Sequence, residues 1–136
     1  MMKLAFLVAA SIGITLAAGC SIPPAQASAD ALHPMPPAFF SNGILVSPTG
    51  RTLYTYDRDT PGASTCAGDC AQTWAPFAPA AADTPRGDFT ILARDDGARQ
   101  WAYKGRPVYL CKLDHFSGDT AGDKRENAWH AVRLGM

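Results

Sequence analysis

An excess of charge of either sign is what this sequence most clearly lacks. Its 136 residues carry 12 Lys and Arg against 12 Asp and Glu. No basic stripe therefore marks a nucleic-acid surface, and none marks an anionic bilayer. The motifs of several common chemistries are missing too. There is no Gly-x-Ser-x-Gly elbow, no phosphate-binding glycine loop, no His-Glu-x-x-His pair and no c-type haem attachment site. Histidine is scarce, at three residues, and cysteine at four. A Cys–His nucleophile pair would need two of these few brought together by the fold, and no flanking signature of a cysteine hydrolase is present. The apolar run LAFLVAASIGITLA, residues 4–17, is shorter than the ~20 residues with which a helix crosses a bilayer.

That run has instead the make-up of an export signal: a short basic start (MMK), an apolar core and small residues behind it. Its end, Leu16-Ala17-Ala18-Gly19-Cys20, resembles the bacterial lipobox. The resemblance implies a lipoprotein signal peptide over residues 1–19, cleavage before Cys20 and diacylglycerol on the Cys20 thiol. Acyl chains contribute about 0.8 kcal/mol per buried methylene, so several of them tether a protein firmly. Ser21, and not an aspartate, follows the cysteine. In a two-membrane bacterium this resembles a lipoprotein sorted to the outer membrane, facing the periplasm. Residues 20–40 are rich in Pro and Ala without periodicity and read as a tether. His33 and Met35 fall within it, incidental in a linker although both suit copper.

Cys66 and Cys70 stand three residues apart in STCAGDCAQTW. With a helical rise of ~1.5 Å per residue, one turn sets such a pair about 6 Å apart, within bridging range. An exported chain favours a structural disulfide here, contributing about 2 kcal/mol through loop entropy. The alternatives are a redox pair or a copper(I) site, since soft thiolates suit that ion. Dithiol oxidoreductases place two residues between their cysteines, not three. C-x-x-x-C resembles the copper motif of SCO-type assembly proteins, but those carry it on a thioredoxin-like α/β fold, and no βαβ pattern is visible here. Cys111 is then the odd one out, read as a small apolar residue in the core, with a reactive or intermolecular thiol as the alternative.

Two stretches follow one plan: GRTLYTYDRDTPG at 50–62 and GRPVYLCKLDHFSG at 105–118. Gly50 matches Gly105, Arg51 matches Arg106, Tyr54 matches Tyr109, Asp59 matches Asp114 and Trp74 matches Trp129, all at one offset of 55 residues. Gly62 and Gly118 correspond once a residue is inserted. Two copies do not make a solenoid. They predict one domain over 41–136, built from related halves (about 43–79 and 98–134) that cover each other's apolar faces.

Local patterns predict strands. GILVSPTGRTLYTYD reads as strand, Pro-Thr-Gly turn, strand. FTILARDDGARQWAYKGRPVYLC reads as three strands joined by Asp-Asp-Gly and Lys-Gly-Arg-Pro turns, and AWHAVRL as a last short strand. CAGDCAQTWAPF is the helical candidate, one or two turns ending before Pro76. The fold class is thus mainly β, a small antiparallel domain of two halves with one short helix around the cysteines. Each central tyrosine buries a ring and gives its hydroxyl a partner, each aspartate fixes a turn, and Trp74 and Trp129 cap the cores. A sugar- or haem-binding aromatic face is the sharper reading of the same residues. Asp119, Asp123, Glu126 and Asn127 cluster as hard oxygens, but without the EF-hand order of ligands they read as a polar loop and not a calcium site.

With these motifs in view, the chain resembles the bacterial secreted repeat lipoproteins described by a Yx(FWY)xxD motif. Tyr54, Tyr56 and Asp59 match in full. Tyr109 and Asp114 match in the second copy, where Cys111 replaces the aromatic. The C-x-x-x-C-x-x-x-W segment ending at Trp74 and the closing GDTAGDKRENAWHAV also resemble that family. The resemblance supplies no activity. The expectation is a lipid-anchored envelope protein acting as a binding module, without catalytic residues or cofactor. Its partner would be an envelope protein or a small molecule and not a nucleic acid. Copper or redox handling at Cys66 and Cys70 is the alternative.

Overall fold

The computed structural model describes residues 35–136. The signal at 1–19, Cys20, His33 and the greater part of the 20–40 stretch lie outside the described residues. The ordered domain starts before residue 41. Ala38 is buried, and strand β1 (Phe39–Ser41) forms a hairpin with β2 (Ile44–Val46). Asn42 and Gly43 supply the two positive φ angles, 48° and 77°, that a two-residue turn between twisted strands needs. This Asn-Gly signal sits against a Pro/Ala-rich stretch, so composition concealed it.

The centre is a four-stranded antiparallel sheet. In chain order it contains β3 (Leu53–Tyr56), β4 (Trp74–Pro76), β8 (Tyr109–Cys111) and β9 (Trp129–Ala131), arranged β4-β8-β3-β9. The two halves meet between β3 and β8, where Tyr54 lies directly opposite its repeat-mate Tyr109. Every other pairing repeats about that point. Trp74 lies opposite Cys111 as Trp129 lies opposite Tyr56, and Pro76 opposite Tyr109 as Ala131 opposite Tyr54. The duplication read at an offset of 55 is thus a local twofold, with each half lending its last strand to the other's central one.

A three-stranded sheet, β5 (Phe89–Ala93), β6 (Arg99–Tyr103) and β7 (Arg106–Pro107), is the second half's counterpart of the first hairpin. The Leu45 N–H donates to Val132 O (2.9 Å) and the Trp101 N–H to Phe77 O (2.8 Å). These equivalent bonds show where the copies slip by one residue. The first half turns through Pro48-Thr49-Gly50, closed by the Ser47 N–H on Arg51 O, whereas the second turns through Lys104-Gly105 alone.

Both faces of the central sheet are covered, so β3 is buried throughout, not only on alternate residues. Leu53, Val108 and Val132 join Leu45, Phe89 and Trp101 in one cluster. Tyr54, Tyr56, Tyr109, Cys111, Trp74 and Trp129 form the other. The tryptophans lie together inside this second cluster. They stack on each other at 3.7 Å and 7°, with Tyr56 against Trp129 at 4.2 Å and 15°. The helix takes the shorter of the two predicted lengths, one turn: α1 spans Cys70–Thr73, and Trp74–Pro76 is strand. One turn is too short to sustain itself, and pairing with β8 decides the conformation beyond it. Cys111 stands where the first half has Tyr56, and the space it frees is filled by backbone. A Cβ on Gly122 would lie 2.5 Å from Trp74 and 3.1 Å from Cys111 Cβ.

Gly122→Ala is therefore expected to destabilise the protein by about 1–3 kcal/mol through overpacking. Trp129→Ala is expected to lose about 3–5 kcal/mol. Urea midpoints at unchanged m-value test both, and near-wild-type midpoints would remove the stacked pair from the centre of the core.

Candidate functional site

Tyr54 and Tyr109 are neighbours on the middle strands, and each sends its hydroxyl into the other half. Tyr54 Oη donates to Asp114 Oδ2 (2.8 Å), and Asp114 Oδ1 accepts the Ala121 N–H (2.8 Å). Tyr109 Oη donates to Asp59 Oδ2 (2.7 Å), and Asp59 Oδ1 accepts the Thr65 N–H (2.7 Å) and Oγ1 (2.9 Å). The motif residues thus come together as reciprocal pairs and not around one open cleft. Burial, with Asp114 accepting, pushes the Tyr54 phenol far above the usual tyrosine range. Burial likewise pushes Tyr109 up to about 12, opposed by the Ser64 hydroxyl and reinforced by Asp59.

Around Tyr109 the pair extends into a relay that no sequence motif marks. Arg94, buried on the β5–β6 hairpin, donates from Nη1 to Ser64 Oγ (2.6 Å) and Gln100 Oε1 (2.7 Å), and from Nη2 to Cys66 O (2.6 Å). Gln100 Nε2 donates to Val108 O (2.9 Å). Proton directions in this chain are determined. A carboxylate only accepts, so the single Tyr109 proton goes to Asp59. Ser64, 2.5 Å from Tyr109 Oη, must then donate to that oxygen and accept from Arg94. Along Arg94, Ser64, Tyr109 and Asp59 each bond points from the guanidinium toward the carboxylate. The Ser64 proton faces a phenol oxygen that is no base, so Ser64 is not an activated nucleophile. In the other half the Gly122 N–H, 3.4 Å from Tyr54 Oη, stands in this place.

Cys66 and Cys70 are joined in a disulfide, Cα atoms 5.3 Å apart, packed against the tryptophan core. Cys111 is a buried free thiol whose pKa burial pushes up, away from the reactive thiolate. The acidic loop residues serve different turns. Asp119 Oδ2 accepts the Phe116 and His115 N–H groups, which hold its carboxyl below the usual range. Burial would raise Asp123, but the Ala131 N–H and Arg133 outweigh it and hold that carboxyl low. Among the described residues no three His, Cys, Asp or Glu side chains converge as a metal site. His130 pairs with Asp57 at 2.8 Å, and His115 is exposed.

The stacked tryptophans do not offer an aromatic platform, because Trp74 and Trp129 are 2% and 1% exposed. The hollow beside them, about 280 Å³, is rimmed by Arg58, Asp69, Thr73 and Glu126. A larger cleft of about 480 Å³ lies at the turns of the first half, between Phe39, Asn42, Thr49, Gly50 and Ser117. The sequence reading missed it and missed Arg94, Ser64 and Gln100. Arg94 occurs in a stretch legible only as a turn, and the cleft is assembled from segments nearly seventy residues apart.

Because folding holds the two protons, each phenol stabilises the native state fully below its free pKa near 10, and that contribution fades as pH climbs through the folded value. Stability should therefore fall between about pH 10 and 12, and Tyr109→Phe should flatten that fall in urea midpoints measured across the range. At neutral pH, Tyr54→Phe is expected to cost about 1–3 kcal/mol, because it leaves buried Asp114 short of a donor.

The secreted repeat of unknown function matches the chain twice, at residues 41–78 and 90–133. No curated protein and no solved structure matches it. The first match carries Tyr54, Tyr56, Asp59, the disulfide and Trp74, and the second carries Tyr109, Asp114 and Trp129. The matched segments are the halves related by the twofold and make up more than half of the sequence, so the chain belongs to this family of secreted repeats of unknown function.

Proposed function

We propose that this protein is a lipid-anchored lipoprotein of the bacterial envelope whose folded domain is a binding module and not an enzyme. The anchor reading rests on LAAGC at 16–20, with Cys20 as the acylated residue, residues 20–40 as the tether and Ser21 favouring an outer membrane facing the periplasm. The binding reading rests on one observation. Among the described residues most groups able to do chemistry are spent on one another, in two Tyr–Asp pairs, the Arg94 relay and a disulfide, and the Cys111 thiol is buried, while the first-half cleft lies open. The partner is an envelope component or a small molecule. The net charge of zero gives a nucleic acid nothing to hold.

Three measurements test this. Cys20→Ser should move the protein from the membrane to the soluble fraction. A photo-cross-linker at Thr49 of the anchored chain should give an envelope adduct that Cys20→Ser diminishes, and absence of any adduct would count against a binding module. In the acylated chain, denaturation should expose one thiol without reductant and three with it, and Cys66→Ser should lower stability by about 2 kcal/mol. Stoichiometric copper with all three thiols free would instead make Cys66 and Cys70 a metal site.

A further inference from the structure

The first-half cleft has a chemistry of its own. Of the eleven residues lining it, none is charged. Its polar groups are the hydroxyls of Ser41, Thr49, Thr52 and Ser117 and the amide of Asn42, which together can both donate and accept. Its apolar surface comes from Ile44, Val46, Pro48 and Phe39, the last 45% exposed, and Phe116, beside Ser117 in the chain, is 76% exposed. The volume of about 480 Å³ lies within the range of small-ligand sites, about 300–1,000 Å³. We propose that this cleft binds a neutral, polyhydroxylated ligand, a short oligosaccharide segment. The proposal rests on the binding-module reading and names its ligand class.

The lining matches such a ligand group by group. Sugar hydroxyls donate and accept alike, as do the Asn42 amide and the Ser41 and Thr49 hydroxyls, while Ser117, its proton on a backbone carbonyl, can accept, and sugar C–H faces pack on exposed aromatic rings. Several hydroxyls are oriented in advance. Ser47 Oγ and Thr49 Oγ1 are 3.0 Å apart, Ser117 Oγ donates to Gly50 O (3.3 Å) and Thr52 Oγ1 to Asp119 O (2.6 Å). Groups already in place lose less freedom on binding. Gly50, at φ 80°, is required here, because a Cβ would run into Ser117 Oγ.

Charge offers an anionic or cationic ligand no partner in the cleft. Backbone offers an extended peptide little, because β1 is three residues long and in its hairpin only Phe40 turns its N–H and C=O away from β2. The repeat scaffold does not impose the lining either. In the second half the corresponding turn is a residue shorter and carries Lys104, and Pro107 stands in place of Thr52. The cleft is a divergence of one half.

The full chain in detergent, labelled for amide NMR, should show shifts at Asn42, Thr49, Gly50 and Ser117 on titration with at least one of maltotetraose, cellotetraose or N-acetylglucosamine tetrasaccharide. Phe39→Ala and Asn42→Ala should each weaken that binding about tenfold, with near-UV tryptophan dichroism unchanged as the check on folding. Co-sedimentation with insoluble peptidoglycan identifies a wall glycan as the source, and binding confined to the soluble tetrasaccharides identifies a free one. If none of these probes binds at millimolar concentration, or if binding is indifferent to Phe39→Ala and Asn42→Ala, the proposal falls. A Thr49 cross-link that persists alongside such a failure would leave the module reading standing with another ligand. Loss of both would remove both.

Discussion

On each of the two middle strands a tyrosine reaches past its partner to the aspartate that closes the other half's strand, and the fold depends on this exchange. Tyr54 with Asp114 and Tyr109 with Asp59 tie together residues sixty and fifty positions apart. Neither half supplies its own aspartate with the tyrosine donor, and neither can cover its own aromatic face. Losing one partner leaves a desolvated carboxylate or phenol, which is penalised more heavily than the intact bond is rewarded. The bonds therefore define the pairing register of β3 and β8 as well as adding stability. The exchange of β4 and β9 and the Trp74–Trp129 stack follow from that register.

The halves have diverged around this shared frame, and each change has a compensation nearby. Cys111 replaces an aromatic, and the backbone at Gly122 moves into the vacated volume. The first half braces the loop after its aspartate with the Cys66–Cys70 disulfide. The second half braces the equivalent loop with Asp123, which takes the Ala131 N–H and Arg133. Tyr109 is served through Ser64 by a buried guanidinium, whereas Tyr54 takes only a long bond from a backbone N–H. Arg94 is the more consequential of these differences. A buried cation needs several acceptors, and it finds them in Ser64, Gln100 and the Cys66 carbonyl, tying the disulfide loop to the β5–β6 hairpin.

A core of this kind is committed to holding the halves together. The interior directs its protons along fixed, structurally committed paths, and its raised phenol and thiol pKa values withhold the charged forms that nucleophilic chemistry uses. The open cleft sits where the copies differ in turn length, and of the residues they share only Gly50 and Gly118 reach its wall. In a duplicated scaffold such a place is free to specialise, because changing it disturbs neither Tyr–Asp pair.

The sequence by itself determined the duplication, the strands other than β1 and β4, and most of the turns. Each of these is written locally, in the 55-residue offset, in alternating apolar residues and in Asp-Asp-Gly and Pro-Thr-Gly punctuation. It also made the Cys66–Cys70 bridge the simplest pairing, since four positions of chain already bring the sulfurs within reach. Only the tertiary structure decided that the tyrosines serve the opposite half, that the tryptophans form one stack, that Trp74–Pro76 is strand and not helix, and that Arg94 and Ser64 belong to the core. Those outcomes depend on which strand lies beside which, and strand pairing is a contest among distant segments that no local pattern records.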